Sequence, residues 1–102
     1  MGHMKAERFG EFIRRLREES NLPLRKVAAK LDIDTSTLSK LERGERPMAK
    51  EYLKPLADIL KMSLEEIQTR FIADTINAEF GQLEHVSKGL KEAEKLIKQK
   101  RR

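Results

Sequence analysis

Residues 22–44 read LPLRKVAAKLDIDTSTLSKLERG and predict two short helices joined by a tight turn. Apolar residues recur at helical spacing on both sides of a break at Asp32-Ile33-Asp34. We expect Asp32 to end the first helix in the left-handed conformation and Asp34 to cap the second. Gly44 is a C-terminal signal for that second helix. The turn between the two helices is too short for a further element, so we expect it to present the second helix outward.

The outward face of this second helix consists of hydrogen-bonding side chains and carries no acidic residue. A solvated surface helix usually includes Glu, so this face is expected to contact a polyanion, and DNA is the first candidate. The residues concerned are Thr35, Ser36, Thr37, Ser39, Lys40 and Arg43.

The segment from about Phe9 to Ile67 resembles the helix-turn-helix domain of the xenobiotic-response-element family, which includes Cro and the lambdoid phage repressors. The stretches KVAAKL, STLSKLERG and LADILKMSLEEI carry the resemblance, in the expected order and spacing. It implies an all-α protein with a five-helix, lambda-repressor-like helix-turn-helix domain and a C-terminal helical extension. The chain is also similar in size to restriction–modification controller proteins.

We predict helices near residues 5–19, 23–31, 35–43, 50–61, 64–80 and 83–100. Pro55 lies inside the fourth, which predicts either a kink or a loose first turn. Ser63-Leu64-Glu65-Glu66 is a capping box for the fifth. The expected organisation is an expression-tag remnant at 1–4, a DNA-binding domain at 5–67, and a helical hairpin with a basic tail at 68–102.

In this family the N-terminal end of the third helix enters the major groove of DNA. The resemblance therefore places Lys40 and the neighbouring hydroxyls at the bases, although the hydroxyls of the first turn are equally suited to capping the helix. The base-contacting set is Thr35, Ser36, Thr37, Ser39 and Lys40. Phosphate contacts are expected from Arg25, Lys26, Arg43, Arg46 and Lys50, with ordinary solvated charges as the alternative.

Two further expectations follow from the resemblance. Many members have Gln at the position of Leu24, where its amide binds the DNA backbone, so we expect Leu24 to pack and Arg25 to take over the phosphate contact. Arg17 and Glu42 occupy positions that form an ion pair in several relatives. We expect this pair to be structural, linking the first helix to the third.

Beyond Ile67 the chain offers a heptad-like apolar seam, preceded by an apolar helix and a turn at Gly81. A hairpin this small cannot cover both apolar stripes by itself, so it packs either on the DNA-binding domain or on a second chain. We predict a two-fold dimer; completion of the monomer core is the alternative. The predicted interface comprises Phe71, Ile76, Phe80, Leu83, Val86, Leu90, Ala93 and Ile97.

Composition agrees with nucleic-acid binding without proving it. The 102 residues carry a net charge of +5, and the part through Met62 holds 14 Lys and Arg against 10 Asp and Glu. No cysteine is present, which excludes disulfides and zinc fingers. Neither His3 nor His85 is accompanied by other residues in a metal-binding pattern. No cofactor, metal or membrane span is expected, and the cytoplasm is the expected location.

The sequence thus predicts a DNA-binding transcriptional regulator, with double-stranded DNA and a second copy as partners. One alternative is an antitoxin whose C-terminal hairpin binds a protein toxin, and another is a protein-interaction module that no longer binds DNA. An enzyme is not expected, because the chain lacks catalytic triads and glycine-rich phosphate loops. If exposed, Glu42 and Glu45 would offer acidic contacts for RNA polymerase.

Overall fold

A computed structural model describes residues 7–101, and within this range the chain forms α-helices, one 3₁₀ turn and no strand. The predicted all-α class is confirmed. The expected tag remnant at 1–4, the first residues of the predicted first helix (5–6) and the last residue of the basic tail, Arg102, lie outside the described residues. The elements are α1 (Phe9–Glu19), α2 (Leu24–Leu31), α3 (Thr35–Glu42), a 3₁₀ turn (Lys50–Tyr52), α4 (Leu53–Leu60), α5 (Leu64–Phe80) and α6 (Val86–Lys100).

The four helices α1, α2, α3 and α4 and the first part of α5 share one apolar core. Helix α3 packs on both α1 and α2, and α4 packs on α2 and α5. The core therefore fixes where α3 lies, while α3 itself keeps one face for solvent. The buried residues of this cluster are Phe9, Phe12, Ile13, Val27, Ala28, Leu31, Leu38, Leu53, Leu56, Ala57, Leu60 and Ile67.

Helix α1 begins later than predicted. Glu7 and Arg8 precede the helix, and Arg8 is its N-cap in an extended conformation. The backbone N–H of Arg8 donates to Oε1 of Glu11 at 3.0 Å, so the Glu11 side chain satisfies an amide that a longer helix would have paired internally. The expected start near Lys5 is therefore wrong.

The predicted fourth helix, 50–61, is divided into two parts. Residues Lys50–Tyr52 form a 3₁₀ turn, and α4 starts only at Leu53. Pro55 then falls in the first turn of α4, where a missing N–H costs nothing because that amide has no acceptor within the helix. Of the two predicted outcomes, a kink or a loose first turn, the structure shows the change in the first turn, where Lys50–Tyr52 form a 3₁₀ turn instead of α-helix.

Helix α5 runs without interruption through the boundary predicted after Ile67. The ring of Phe71 meets that of Phe9 at a centroid distance of 5.5 Å, edge to face, and Asp74 accepts from Nε of Arg8 at 2.9 Å. Phe71 therefore packs on the core of its own chain, and not on the outer surface where the predicted dimer interface placed it. The core formed by the N-terminal helices therefore extends into α5 as far as Phe71.

Helix α6 starts at Val86, three residues after the predicted start, because residues 81–85 form a turn. A Cβ at Gly81 would lie 2.5 Å from the carbonyl oxygen of Asn77, so the tight exit from α5 requires glycine. Every residue of α6 after Val86 is exposed. Helices α5 and α6 thus border an open groove and do not close into a packed hairpin.

Candidate nucleic-acid interface

The turn between α2 and α3 is built as the sequence predicts. Asp32 adopts the left-handed conformation at φ 59° and ψ 44°, and the N–H of Ile33 donates to the carbonyl of Ala28 at 3.0 Å. The side chain of Ile33 packs against the core between the two helices. This backbone conformation and these two contacts close α2 and turn the chain directly into α3.

Asp34 caps α3. Its Oδ1 accepts from the N–H of Thr37 at 2.7 Å. The amide of Thr37, and then its hydroxyl, hold the pKa of Asp34 below its ordinary value, with smaller contributions from the positive charges of Lys40 and Arg46. The carboxylate is therefore ionised at neutral pH and fixes the first turn of α3.

The inner face of α3 is anchored by Leu38 and Leu41, both buried. At its C-terminal end α3 also lies against the backbone of α1. A Cβ at Gly10 would collide with the carbonyl oxygen of Leu41 and lie 2.7 Å from that of Glu42. Only a glycine in α1 permits this approach, so the orientation of α3 depends on a contact between backbones.

Glu42 is the last residue of α3 and is paired with Arg17 of α1. Nε and Nη2 of Arg17 donate to the two carboxylate oxygens at 2.8 and 3.1 Å, and Nη1 donates to the carbonyl of Leu22 at 3.0 Å. The side chains are 12% and 3% exposed, respectively. The hydrogen bonds that Arg17 donates to Glu42 raise the pKa of Arg17. The expected pair between α1 and α3 thus exists as a bidentate contact, and Glu42 is not available as an acidic contact for RNA polymerase.

The five predicted base-contacting residues do not have equal access to solvent. Thr35, Ser36 and Lys40 are exposed, whereas Thr37 and Ser39 are half-buried. The Thr37 amide is committed to the cap, and the Ser39 hydroxyl accepts from Nη1 of Arg43. The side chains most available to a ligand are therefore at the N-terminal end of α3 and one turn further on, at Lys40.

Among the predicted phosphate contacts, Arg43 differs from the others. Its Nε and Nη2 donate to Glu45 at 2.7 and 3.3 Å, which raises the pKa of Arg43 and lowers that of Glu45. It also lines a crevice of about 430 Å³ facing α1, where Glu11 and Glu18 alternate with Arg14 and Arg15. Arg43 is exposed, as expected, but a phosphate would have to compete with Glu45 for its guanidinium.

The remaining basic residues are exposed and keep their charges available. Within residues 7–101, no carboxylate lies within the 4.0 Å that defines an ion pair with any of them. Leu24, where relatives carry Gln, packs against the core as expected. Among the residues predicted to contact DNA, the exposed cations without an ion pair are Arg25, Lys26, Lys40, Arg46 and Lys50.

The sequence of helix, left-handed turn, capped helix and exposed basic surface agrees with the comparison to known families. A family model described as a helix-turn-helix domain matches residues 8–69. The chain belongs to this helix-turn-helix domain family. The match starts at the N-cap of α1 and ends inside α5, so it covers the core and all of the turn described above. No curated protein and no solved structure matches the chain.

The helix-turn-helix domain is a DNA-binding domain, and α3 holds the position of the second helix of the motif. The narrower resemblance to Cro and the lambdoid repressors stays a prediction. No helix in the part of the chain that the structure describes is long and apolar enough to cross a membrane. In the same part, no three His, Asp or Glu side chains are grouped as metal ligands.

Residue-by-residue reasoning missed two exposed residues of the C-terminal region, Ile72 on α5 and Leu96 on α6. The signal for Ile72 was in the sequence. Ile67 and Phe71 are four residues apart and form one apolar series, and Ile72 and Ile76 form a second series that starts one residue after Phe71. Two such series on one helix indicate two apolar faces. The first faces the core and the second faces outward.

Proposed function

We propose that this chain is a sequence-specific regulator of transcription that binds double-stranded DNA as a homodimer on an inverted-repeat operator. The observation that carries the proposal is the outer face of α3, where Thr35, Ser36 and Lys40 are exposed on a helix held in place by its cap and by Glu42. A Lys at this position can donate to guanine O6 or N7, and the Thr methyl can contact thymine. Arg25, with its neighbours, would bind the flanking phosphates.

A dimer follows from the small size of this surface. Hydroxyls both donate and accept, so they discriminate bases poorly, and one short helix offers few base contacts. Two joined domains bind with a high effective concentration of the second for its half-site. Their recognition helices should lie about 34 Å apart, one turn of DNA, over an inverted repeat.

The test is selection of bound duplexes from a random DNA pool with purified protein at about 0.15 M salt, since specific complexes survive salt that dissociates purely electrostatic ones. We expect enrichment of an inverted repeat with half-sites about 10 bp apart. Enrichment of a single half-site would keep DNA reading and contradict the dimer. No enrichment at all would contradict sequence-specific binding.

The substitution Lys40→Ala tests the residue placed at the bases. We expect it to weaken binding to the selected operator by about 1–3 kcal/mol and to relax preference at one base position of each half-site. Lys54→Ala is the matched control, because Lys54 is an exposed lysine on α4, outside the α2–α3 motif and outside the set of predicted DNA contacts. Equal effects of the two substitutions would mean that Lys40 acts only as a charge.

A second candidate is the antitoxin of a toxin–antitoxin pair. The observation that favours it is the uncovered apolar surface of α5 and α6, where Phe80, Leu83 and Leu96 are at least half exposed. In that case a protein toxin would cover this surface and the same DNA-binding domain would bind its own operator. Sedimentation distinguishes the two: a chain that stays monomeric at high concentration favours a different protein partner.

A further inference from the structure

The guanidinium of Arg43 links the end of α3 to a side chain one turn earlier in the same helix. Its Nη1 donates to Oγ of Ser39, while Nε and Nη2 donate to the carboxylate of Glu45 at 2.7 and 3.3 Å. All three nitrogens are used, so the group is held between its two partners. Because Ser39 is one of the five predicted base contacts, Arg43 acts on that surface through a second side chain.

The turn after α3 places Glu45 within reach of Arg43. Gly44 adopts the left-handed conformation at φ 77°, and the N–H of Glu45 donates to the carbonyl of Lys40 at 2.9 Å. The hydrogen bonds to Glu45 raise the pKa of Arg43, and those from Arg43 lower the pKa of Glu45, so both are charged at neutral pH. An exposed pair of this kind adds little to stability. Its effect is to direct Nη1 towards Ser39.

The contact with Arg43 changes what the Ser39 hydroxyl can offer to a ligand. A free hydroxyl both donates and accepts hydrogen bonds. In Ser39 the oxygen already accepts from a cation, and within residues 7–101 the hydroxyl donates to no other group. The cation polarises the hydroxyl as a donor and repels a second N–H that approaches the oxygen. Ser39 is half-buried, so it presents a donor at the part that solvent reaches.

The bases differ in what they present to such a donor in the major groove. Guanine offers O6 and N7, adenine offers N7 and thymine offers O4 as acceptors, whereas cytosine offers only the N4 amino group, which is a donor. An unrestricted hydroxyl accepts from that amino group as readily as it donates to the other bases, and for this reason it discriminates poorly. A hydroxyl that is restricted to donation is repelled by cytosine.

We propose that Arg43 is a positioning residue that restricts Ser39 to donation, so that Ser39 discriminates against cytosine at one base of each half-site. This inference rests on the proposed function and deepens it, because it assigns part of the base preference to a residue that touches no base. Glu45 fixes the guanidinium, and the guanidinium fixes the hydroxyl. A single hydrogen bond of this kind corresponds to a discrimination of about 3–10-fold in affinity.

The test compares four forms of the selected operator that differ only at the base whose preference Ser39→Ala relaxes, with affinities measured by fluorescence anisotropy. Arg43→Met removes the donors, so the penalty of about 3–10-fold for cytosine should largely disappear. Arg43→Lys keeps a charged donor and should retain the penalty. Arg46→Met is the matched control: it removes an exposed arginine outside α3 and should weaken binding to all four forms equally.

An unchanged cytosine penalty in Arg43→Met, or its loss in Arg46→Met as well, would overturn the positioning role. The double variant of Ser39→Ala with Arg43→Met must show the same base preference as Ser39→Ala alone; a further change would mean that Arg43 contacts a base itself. Circular dichroism checks that each variant is helical. If the wild type selects an operator on which Ser39→Ala relaxes no position, only this inference fails. If the wild type selects no operator, the proposed function fails as well.

Discussion

At the scale of single residues, Glu42 is the clearest test of how α3 is held. Its carboxylate is 3% exposed and receives two hydrogen bonds from Arg17. Glu42→Ala leaves the guanidinium with little solvent and no carboxylate, which costs roughly 3–5 kcal/mol. For a domain of this size we expect the melting temperature, followed by circular dichroism, to fall by more than about 10 °C.

The matched control removes both charges together. In Arg17→Leu with Glu42→Leu no buried charge is left unpaired, and such replacements are often close to neutral. We therefore expect the double variant to be more stable than Glu42→Ala alone. An unchanged melting temperature in Glu42→Ala would show that the ion pair contributes nothing to stability.

Asp34 provides a prediction for pH. Its pKa in the folded chain is lowered from the ordinary value of 3.8, mainly by the Thr37 amide. A lowered folded-state pKa means that its stabilising contribution is complete above pH 3.8 and is lost as pH falls through the folded-state pKa. Asp34→Asn still accepts the Thr37 N–H but does not titrate. On acidification below pH 3.8, the melting temperature of the variant should therefore fall less than that of the wild type. Equal falls in the two proteins would contradict a stabilising role of the ionised Asp34 cap.

At the scale of elements, the contact between α1 and α3 depends on Gly10. A Cβ there would collide with backbone carbonyls, which cannot move as a side chain can. We expect Gly10→Ala to separate the two helices and destabilise the fold by about 1–3 kcal/mol, measured by urea unfolding. Gly89→Ala in α6 is the control, because nothing lies within 4 Å of its new Cβ. That change should be neutral or stabilising, as Ala is the better helix former.

The order of the helices and the helix-turn-helix itself were predictable from sequence, because local signals agree there with the apolar pattern. The Asp34 cap and the left-handed Asp32 are read directly from residue type. The start of α1 was not predictable in the same way, because it depends on the Glu11 side chain reaching back to the Arg8 amide. The ion pair of Arg43 with Glu45 was not predictable from periodicity either, because it depends on how the chain turns after α3.

At the scale of the whole molecule, the apolar seam of α6 was visible in the sequence, but its relation to α5 was not. A seam predicts that a helix is covered and does not identify what covers it. The direction of α6 depends on backbone angles in the turn 81–85, which apolar periodicity does not encode. For the same reason Phe71 was assigned to the dimer, although it belongs to the core that α5 completes.

Coupling between the two DNA-binding domains of the proposed homodimer can be removed at Leu90, which lines the groove between α5 and α6 and is 43% exposed. Leu90→Glu buries a charge in the dimer but little in the monomer, so we expect dissociation with an almost unchanged monomer fold. Binding to the full inverted repeat should weaken by about 10²–10⁴-fold, the gain expected from linked sites, while binding to a single half-site stays the same. Gln99→Glu adds the same charge to an exposed position of α6 and should neither dissociate the dimer nor weaken binding to the full inverted repeat. Fluorescence anisotropy with both duplexes measures the difference, and an equal loss on half-site and full operator would place Leu90 in the folding of the monomer instead.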